Sequence, residues 1–213
     1  MTVLDALVLA GGQGLRLGGV VKADVLLGGR TLLDRALDAT ADARRVVVVG
    51  PPALARPGVG TTLEDPPAGG PAAGVAAGLR ALDAAGPPLA DRVLVLACDM
   101  PLAGAAVPAL RELLDADASA DGAVLVDDEG HAQSLAAVYR SAPLRAAVGA
   151  READGGVHGC SVRRLVAGLR LIGLPGSAEA ARDADTWEAV AALERSLTQA
   201  GPPGRPVTRE GTG

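Results

Sequence analysis

Residues 7–29 read LVLAGGQGLRLGGVVKADVLLGG, an apolar run that breaks into glycines and then supplies one arginine and one lysine. Leu7, Val8 and Leu9 follow one another with no polar residue between, as in a strand buried on both faces of a parallel sheet. Gly11, Gly12, Gly14, Gly18 and Gly19 come next, so the loop leaves the C-terminal end of that strand. Open α/β sheets bind their ligands along that edge. Glycine lets backbone N–H groups turn toward an anion and approach it with no Cβ in between. Arg16 and Lys22 add fixed positive charge to the same loop, which suits a polyphosphate. Spacing excludes two familiar phosphate loops. A P-loop needs Gly-Lys followed by Ser or Thr, whereas Lys22 stands between Val21 and Ala23. A dinucleotide fingerprint needs Gly-x-Gly-x-x-Gly, whereas Gly14 and Gly18 are one residue too far apart.

Outward from this stretch the same kind of apolar run returns. Residues 3–10, 44–50 (RRVVVVG) and 92–99 (RVLVLACD) all read as buried strands bounded by turn signals. Helical patterns over 31–41, 71–84 and 103–116 lie between and after them. The alternation predicts βαβ units in a three-layer α/β/α sandwich with a Rossmann-like, mostly parallel sheet. Residues 122–128 read as a further strand, and 132–140, after a short turn, as a strand paired in antiparallel fashion. A helix end and a strand are expected within 163–174, and a last amphipathic helix over 186–197. Residues 1–199 are expected to form one domain, and 200–213, with nothing apolar to pack, a disordered tail.

Composition narrows the classes. Trp187 and Tyr139 are the only aromatic residues although 49% of the chain is apolar, so the core must be aliphatic. A net charge of −5 argues against a nucleic-acid partner, which calls for a clustered basic face. No apolar run reaches the roughly 18 residues of a membrane span, and the first residues lack a signal-peptide charge pattern, so the cytoplasm is the expected location. Cys98 and Cys160 have no metal-ligand spacing and read as reduced, buried thiols. His131 and His158 lie in loops, where surface roles are expected.

Acidic residues complete the pattern. In LACDMPL (96–102), Asp99 ends a buried strand and emerges on the edge that carries the glycine loop. It is either a hard oxygen ligand for Mg²⁺ or the cap of the following helix. In EDPPAGGPAAGVAAGL (64–79), Asp65 ends a short strand, where it can accept hydrogen bonds from a ribose or base or simply shape the turn. Gly74 and Gly78 leave the following helix with a smooth face, fit for a sheet or a flat ring. In ARDADTWEAV (181–190), Asp183 and Asp185 stand two apart, so on extended chain they face opposite ways. Asp183 is favoured for a metal, with Asp185 the alternative or a supporting group, and Thr186 is placed to cap the last helix.

With these motifs in order, the chain resembles the molybdenum cofactor guanylyltransferases, within the nucleotidyltransferases of glycosyltransferase-A-like fold. The resemblance is carried by Leu9-Ala10-Gly11-Gly12, Arg16-Leu17-Gly18-Gly19 with Lys22, and Glu64-Asp65 before Gly70-Pro71-Ala72-Ala73-Gly74. Cys98-Asp99-Met100-Pro101 and Asp183-Ala184-Asp185-Thr186-Trp187-Glu188 complete it. The sequence departs from the family at Val21, where an aspartate is usual, and at Trp187, where proline is. The resemblance implies transfer of GMP from GTP to molybdopterin with release of pyrophosphate, with Mg²⁺ as cofactor. It also implies contact with other molybdenum-cofactor biosynthesis proteins. Carried onto this chain, Leu9, Ala10, Gly11 and Gly12 cradle the nucleotide, and Arg16 and Lys22 contact its phosphates. Asp65 binds the nucleoside, Asp99 and Asp183 hold the metal, and Gln133 lies near the acceptor. Two other readings stay open: a cytidylyltransferase or other NTP transferase with a different phosphorylated acceptor, and a nucleotide-binding protein without catalysis.

Overall fold

The computed structural model describes residues 3–12, 17–176 and 179–199. In chain order its elements begin with β1 (Leu4–Leu9), β2 (Leu26–Leu27), β3 (Arg30–Thr31), α1 (Leu32–Asp38), β4 (Arg45–Val49) and β5 (Gly60–Thr62). There follow α2 (Pro71–Ala84), β6 (Arg92–Ala97), α3 (Val107–Ala116), β7 (Gly122–Val126) and β8 (Ala132–Arg140). The last are α4 (Ser141–Ala153), α5 (Val162–Leu165), β9 (Leu171–Pro175) and α6 (Trp187–Gln199). Seven strands form one sheet in the order β5-β4-β1-β6-β8-β7-β9. Every neighbouring pair is parallel except the two made by β8. This is the mostly parallel sheet with an antiparallel strand that the sequence predicts.

The central strands are apolar along their length because both faces are covered. Leu7 lies in register between Val47 and Val95, and these three pack with Val75 and Leu79 of α2, Leu144 of α4 and Leu165 of α5. On the other face, Ala6, Leu94 and Leu96 pack against Val107, Leu110 and Leu114 of α3. Val8 and Val48 meet Leu33 and Ala36 of α1. A fourth cluster joins Leu17, Val25 and Leu27 to Ala184, Val190 and Leu193, so the segment after the glycine loop is held by the α6 end of the chain. Helix α2 sits close to the sheet because it carries Gly78. A Cβ there would stand 2.7 Å from Leu7 Cδ2.

The far end of β1 is fixed by Asp5, which is wholly inaccessible. Its carboxylate accepts hydrogen bonds from Arg45 Nη2 at 2.7 Å, Arg44 Nη2 at 2.9 Å and the Ala90 N–H at 2.8 Å. Burial works against the carboxylate, but these bonds outweigh it and hold its pKa below the usual carboxylate range.

Two local expectations need correction, and two elements were not read from the sequence. The helix expected over 103–116 begins as a 3₁₀ turn, Ala103–Ala106, and turns α-helical at Val107. Pro108 explains this: it lacks the N–H that a continuous α-helix would bond back to Gly104, and it is tolerated in a first turn. Helix α4 was not read from the sequence; its Pro143 lies in the first turn, where no bond is lost. Residues 26–31 form the small β2–β3 hairpin, turned by Gly28 and Gly29 at φ +58° and +76°. The short strand expected to end at Asp65 ends at Thr62. Among the described residues no helix is long and apolar enough to cross a membrane. The tail expected over 200–213 lies outside the described residues.

Candidate active site

Strands β5, β4, β1 and β6 run parallel, so their C-terminal ends open on one edge. A cavity of about 520 Å³ lies there, walled by the segments that leave each strand and by the start of α2. Leu9, Gly11, Gly12, Lys22 and Asp99 all line it. The glycine loop and the aspartate after β6 therefore meet on one cavity, as the strand-edge argument requires.

Lys22 opens a short 3₁₀ turn, Lys22–Asp24. Ala23, Val25 and Leu27 are buried in alternation, which pins the segment and leaves Lys22 on the cavity side. Its stem crosses Gly12, where a Cβ would lie 3.5 Å from Lys22 Cδ. Lys22 Nζ donates to Asp99 Oδ2 at 2.8 Å and also to Asp185 Oδ1. Burial opposes the ammonium charge, but the hydrogen bonds to Asp185 and Asp99 outweigh it and raise the lysine pKa. The lysine is a permanent cation between two carboxylates.

Asp99 stands two residues beyond β6, and its backbone oxygen accepts the Ala184 N–H at 2.7 Å. That bond ties the 183–185 segment to the site. Burial, with the like charges of Asp99 and Asp185, pushes the Asp183 carboxyl up to about 6, against the pull of Lys22. The outer side of Asp183 meets solvent, so water screens part of this effect. The cap of α6 is Thr186, whose Oγ1 accepts the Ala189 N–H at 3.2 Å.

The remaining residues singled out by sequence fall as follows. Ala10 is buried beneath the loop and its N–H bonds the Val49 carbonyl at 2.8 Å. Asp185 accepts from Lys22, Asp183 feels the charges of Asp99, Asp185 and Lys22, and neither aspartate is part of the cavity wall. Asp65 is exposed and does not line the cavity; its neighbour Glu64 does. Gln133 donates to Asp127 Oδ2 at 2.9 Å, and Leu135, two residues on, reaches the cavity. Arg16 lies outside the described residues.

Glu64, Cys98 and Leu135 are wall residues that the sequence reading did not assign to the site. Cys98 could have been found, since it precedes Asp99 at the end of the same apolar strand. Its thiol is pushed up to about 12 by burial first and by Asp99 next, which removes it as a nucleophile.

Over residues 6–170 the sequence matches the MobA-like NTP transferase domain. The chain belongs to the MobA-like NTP transferase family. A molybdenum cofactor guanylyltransferase of Acidiphilium cryptum is 42% identical over 105 residues, covering 47% of this chain and 52% of that protein. The chain thus matches about half the length of that curated relative. Among solved structures, molybdopterin-guanine dinucleotide biosynthesis protein A from Archaeoglobus fulgidus superposes with a TM-score of 0.67 at 18% identity, over 92% of this chain and 99% of that one. The 2-C-methyl-D-erythritol 4-phosphate cytidylyltransferase of Thermus thermophilus gives 0.63 at 24% identity, over 93% and 100%. Rv0371c of Mycobacterium tuberculosis, solved as a complex with manganese, gives 0.61 at 19% identity, over 92% and 100%. At these identities the structures share the fold of this MobA-like transferase.

Among the described residues no three His, Cys, Asp or Glu side chains form a metal site complete in itself. Asp99 and Asp185 nevertheless place hard oxygen donors on either side of Lys22 Nζ, with Asp183 beside them. That donor set fits a divalent ion held by one or two carboxylates, its shell completed by phosphate oxygens and water.

Proposed function

We propose that this MobA-like transferase moves GMP from GTP to the terminal phosphate of molybdopterin. The observation that carries the site is the Lys22–Asp99 pair on the wall of the strand-edge cavity. The guanylyltransferase relative supports the choice of base and acceptor. An oxygen of the acceptor phosphate attacks the α-phosphorus of GTP, the bond to the β-phosphate oxygen breaks, and pyrophosphate leaves. The acceptor is already an anion, so no protein nucleophile is needed. The barrier lies in bringing two anions together, and the protein lowers it by positive charge and by holding the groups in line.

Each residue has a part in this. Gly11 and Gly12 let the backbone approach the nucleotide closely, with Leu9 and Ala10 setting the start of that loop. Lys22 places its charge against the phosphate oxygens at the reacting centre, and Arg16 adds a second cation from the same loop. Asp99, with Asp183 or Asp185, would hold Mg²⁺, which when bound adds positive charge to the phosphates. Phosphate oxygens would compete with Asp99 and Asp185 for the Lys22 ammonium. The nucleoside takes the apolar end of the cavity, between Val49, Leu63 and Pro71.

A cytidylyltransferase keeps every one of these roles and changes the base, and the structural likeness to one favours it as the second reading. Pyrophosphate release measured with molybdopterin and Mg²⁺, with GTP and CTP in separate reactions, tests both. Release with GTP is expected. Release with CTP alone replaces the first reading by the second, and release with neither removes molybdopterin transfer.

A further inference from the structure

A cavity of about 520 Å³ is of the size that one small ligand fills, so the acceptor needs a surface of its own. Lys22 marks the border. It lines the cavity and bonds there to Asp99, whereas its second partner, Asp185, lies outside the cavity wall. In an in-line displacement the attacking oxygen enters opposite the leaving pyrophosphate. With the nucleoside in the cavity, the body of the acceptor is left with the rim around the Lys22–Asp185 pair.

That rim carries apolar side chains. Among the described residues six large apolar side chains are exposed, and three of them, Val20, Val21 and Trp187, stand within two residues of Lys22 or Asp185. Exposed apolar residues scattered singly need no explanation, but three gathered about one ion pair do. Trp187 is the largest and is 55% exposed. The backbone is fixed on both sides of it. Ala184 is fully buried and its N–H bonds the Asp99 carbonyl at 2.7 Å, while the Val190 N–H bonds the Thr186 carbonyl at 3.0 Å. Two peptide units put the Trp187 Cα within about 7 Å of the Asp185 Cα. The indole itself belongs to none of the core clusters. It is a rigid flat face on a fixed backbone, beside the Lys22–Asp185 pair and outside the core.

We infer that Trp187 stacks on a flat ring of the acceptor, so that the chain selects a phosphate carried on a fused-ring system over one carried on an aliphatic polyol. This rests on the nucleotidyl transfer at Lys22 proposed above, and not on the choice of base. Two rings laid face to face gain dispersion and release water from both faces, whatever hydrogen bonds their edges make. Val20 and Val21 add apolar surface to the same rim. A polyol offers hydroxyls in place of a ring face, and covering Trp187 with them strips them of water without supplying a partner. Molybdopterin has such a ring system; 2-C-methyl-D-erythritol 4-phosphate has only the hydroxylated chain.

Trp187 is the only tryptophan of the chain, so its emission reports the contact directly. The full chain, with Mg²⁺ and an α,β-methylene analogue of GTP that cannot release pyrophosphate, is titrated with molybdopterin and separately with 2-C-methyl-D-erythritol 4-phosphate. Molybdopterin is expected to quench the emission, and the polyol phosphate to leave it unchanged. Pyrophosphate release from GTP and molybdopterin is then compared in the parent, Trp187→Ala, Trp187→Phe and a control, Val3→Ala, whose parent side chain is exposed at the far end of β1. Trp187→Ala should raise the acceptor KM roughly 5- to 100-fold, the effect of losing one stacking ring, with kcat and the KM for GTP within about twofold of the parent. Trp187→Phe, which keeps a ring, should stay near the parent, and Val3→Ala should match it. A Trp187→Ala chain with the parent's acceptor KM, or an emission unmoved by molybdopterin that turns over, overturns the stacking role and leaves transfer to molybdopterin standing. Equal quenching by the polyol phosphate overturns the selection of ring over polyol. No turnover of molybdopterin with GTP or CTP overturns the transfer reading instead, and the quenching arm then still decides the stacking.

Discussion

Two glycines one turn apart on α2 should respond to the same substitution with opposite signs. A Cβ built at Gly78 meets Leu7 Cδ2 at 2.7 Å, with Leu7 Cδ1 and Val49 Cγ2 both at 3.0 Å. The Leu7 methyls end a flexible side chain, but Leu7 is fully buried in the main core cluster and has nowhere to swing. Gly78→Ala gains about 0.8–1.0 kcal/mol of helix propensity. Overpacking a filled core costs about 1–3 kcal/mol, and three contacts this short put the site in the upper part of that range. The net is a loss of about 1–2 kcal/mol, which in a chain of this size lowers Tm by about 2–8 °C. At Gly74 the same Cβ meets Val49 Cγ1 at 3.4 Å and Leu9 Cδ2 at 3.5 Å, ordinary contacts. Gly74→Ala should keep the propensity gain and raise Tm by about 2–4 °C. Gly74 also lines the cavity, so that more stable variant should bind nucleotide less well. Paired thermal melts by circular dichroism, with urea midpoints as a check, measure both. A Gly78→Ala chain that melts at or above the parent refutes the close seating of α2 on Leu7.

Other outcomes follow from the site and its supports. Lys22→Ala should lose about 10²–10³ in kcat, the usual effect of removing one charge-stabilising group, with an unchanged circular dichroism spectrum; parent-like turnover would remove Lys22 from the reaction. Asp99→Asn should abolish turnover at Mg²⁺ concentrations that saturate the parent; an unaltered metal requirement in steady-state assays would show that Asp99 holds no metal. Asp5→Ala strands Arg44 and Arg45 without their buried partner and should cost about 3–5 kcal/mol at neutral pH by urea titration. The sign with pH follows from the lowered pKa: the Asp5 contribution is full above its ordinary value of 3.8 and disappears as pH falls through the lower folded value. The difference between Asp5→Ala and parent should therefore shrink in strong acid, and a gap independent of pH would contradict the ion-pair account. Cys98, held protonated by burial, should not react with a thiol reagent until the chain unfolds. Rapid labelling of the native chain at Cys98 would show a more open cavity floor.

The sheet was legible because its central strands are buried on both faces, and that constraint writes itself as uninterrupted apolar runs. Leu7, Val47 and Val95 are adjacent in space and each sits within such a run. The meeting of Lys22 with Asp99 was legible for a related reason: parallel strands deliver their C-terminal loops to one edge whatever the loops contain. Loop register was not. Which of Glu64 and Asp65 faces the cavity depends on backbone angles between Thr62 and Gly70 that no periodicity governs. The partner of Asp185 was hidden likewise, because the bond to Lys22 joins residues 163 positions apart. Helix α4 went unread although its alanines favour a helix; packing of Leu144 and Val148 into the core fixes it there.

The most direct test is crystallographic: this protein with GTP and Mn²⁺, the ion located by its anomalous scattering. The expected map shows the ion in contact with the Asp99 carboxylate, the triphosphate within hydrogen-bond distance of Lys22 Nζ, and the base in the pocket at the head of β5. A nucleotide bound on another surface, or one that touches Lys22 while Asp99 stays remote from both metal and phosphate, would contradict a single site built from this strand edge.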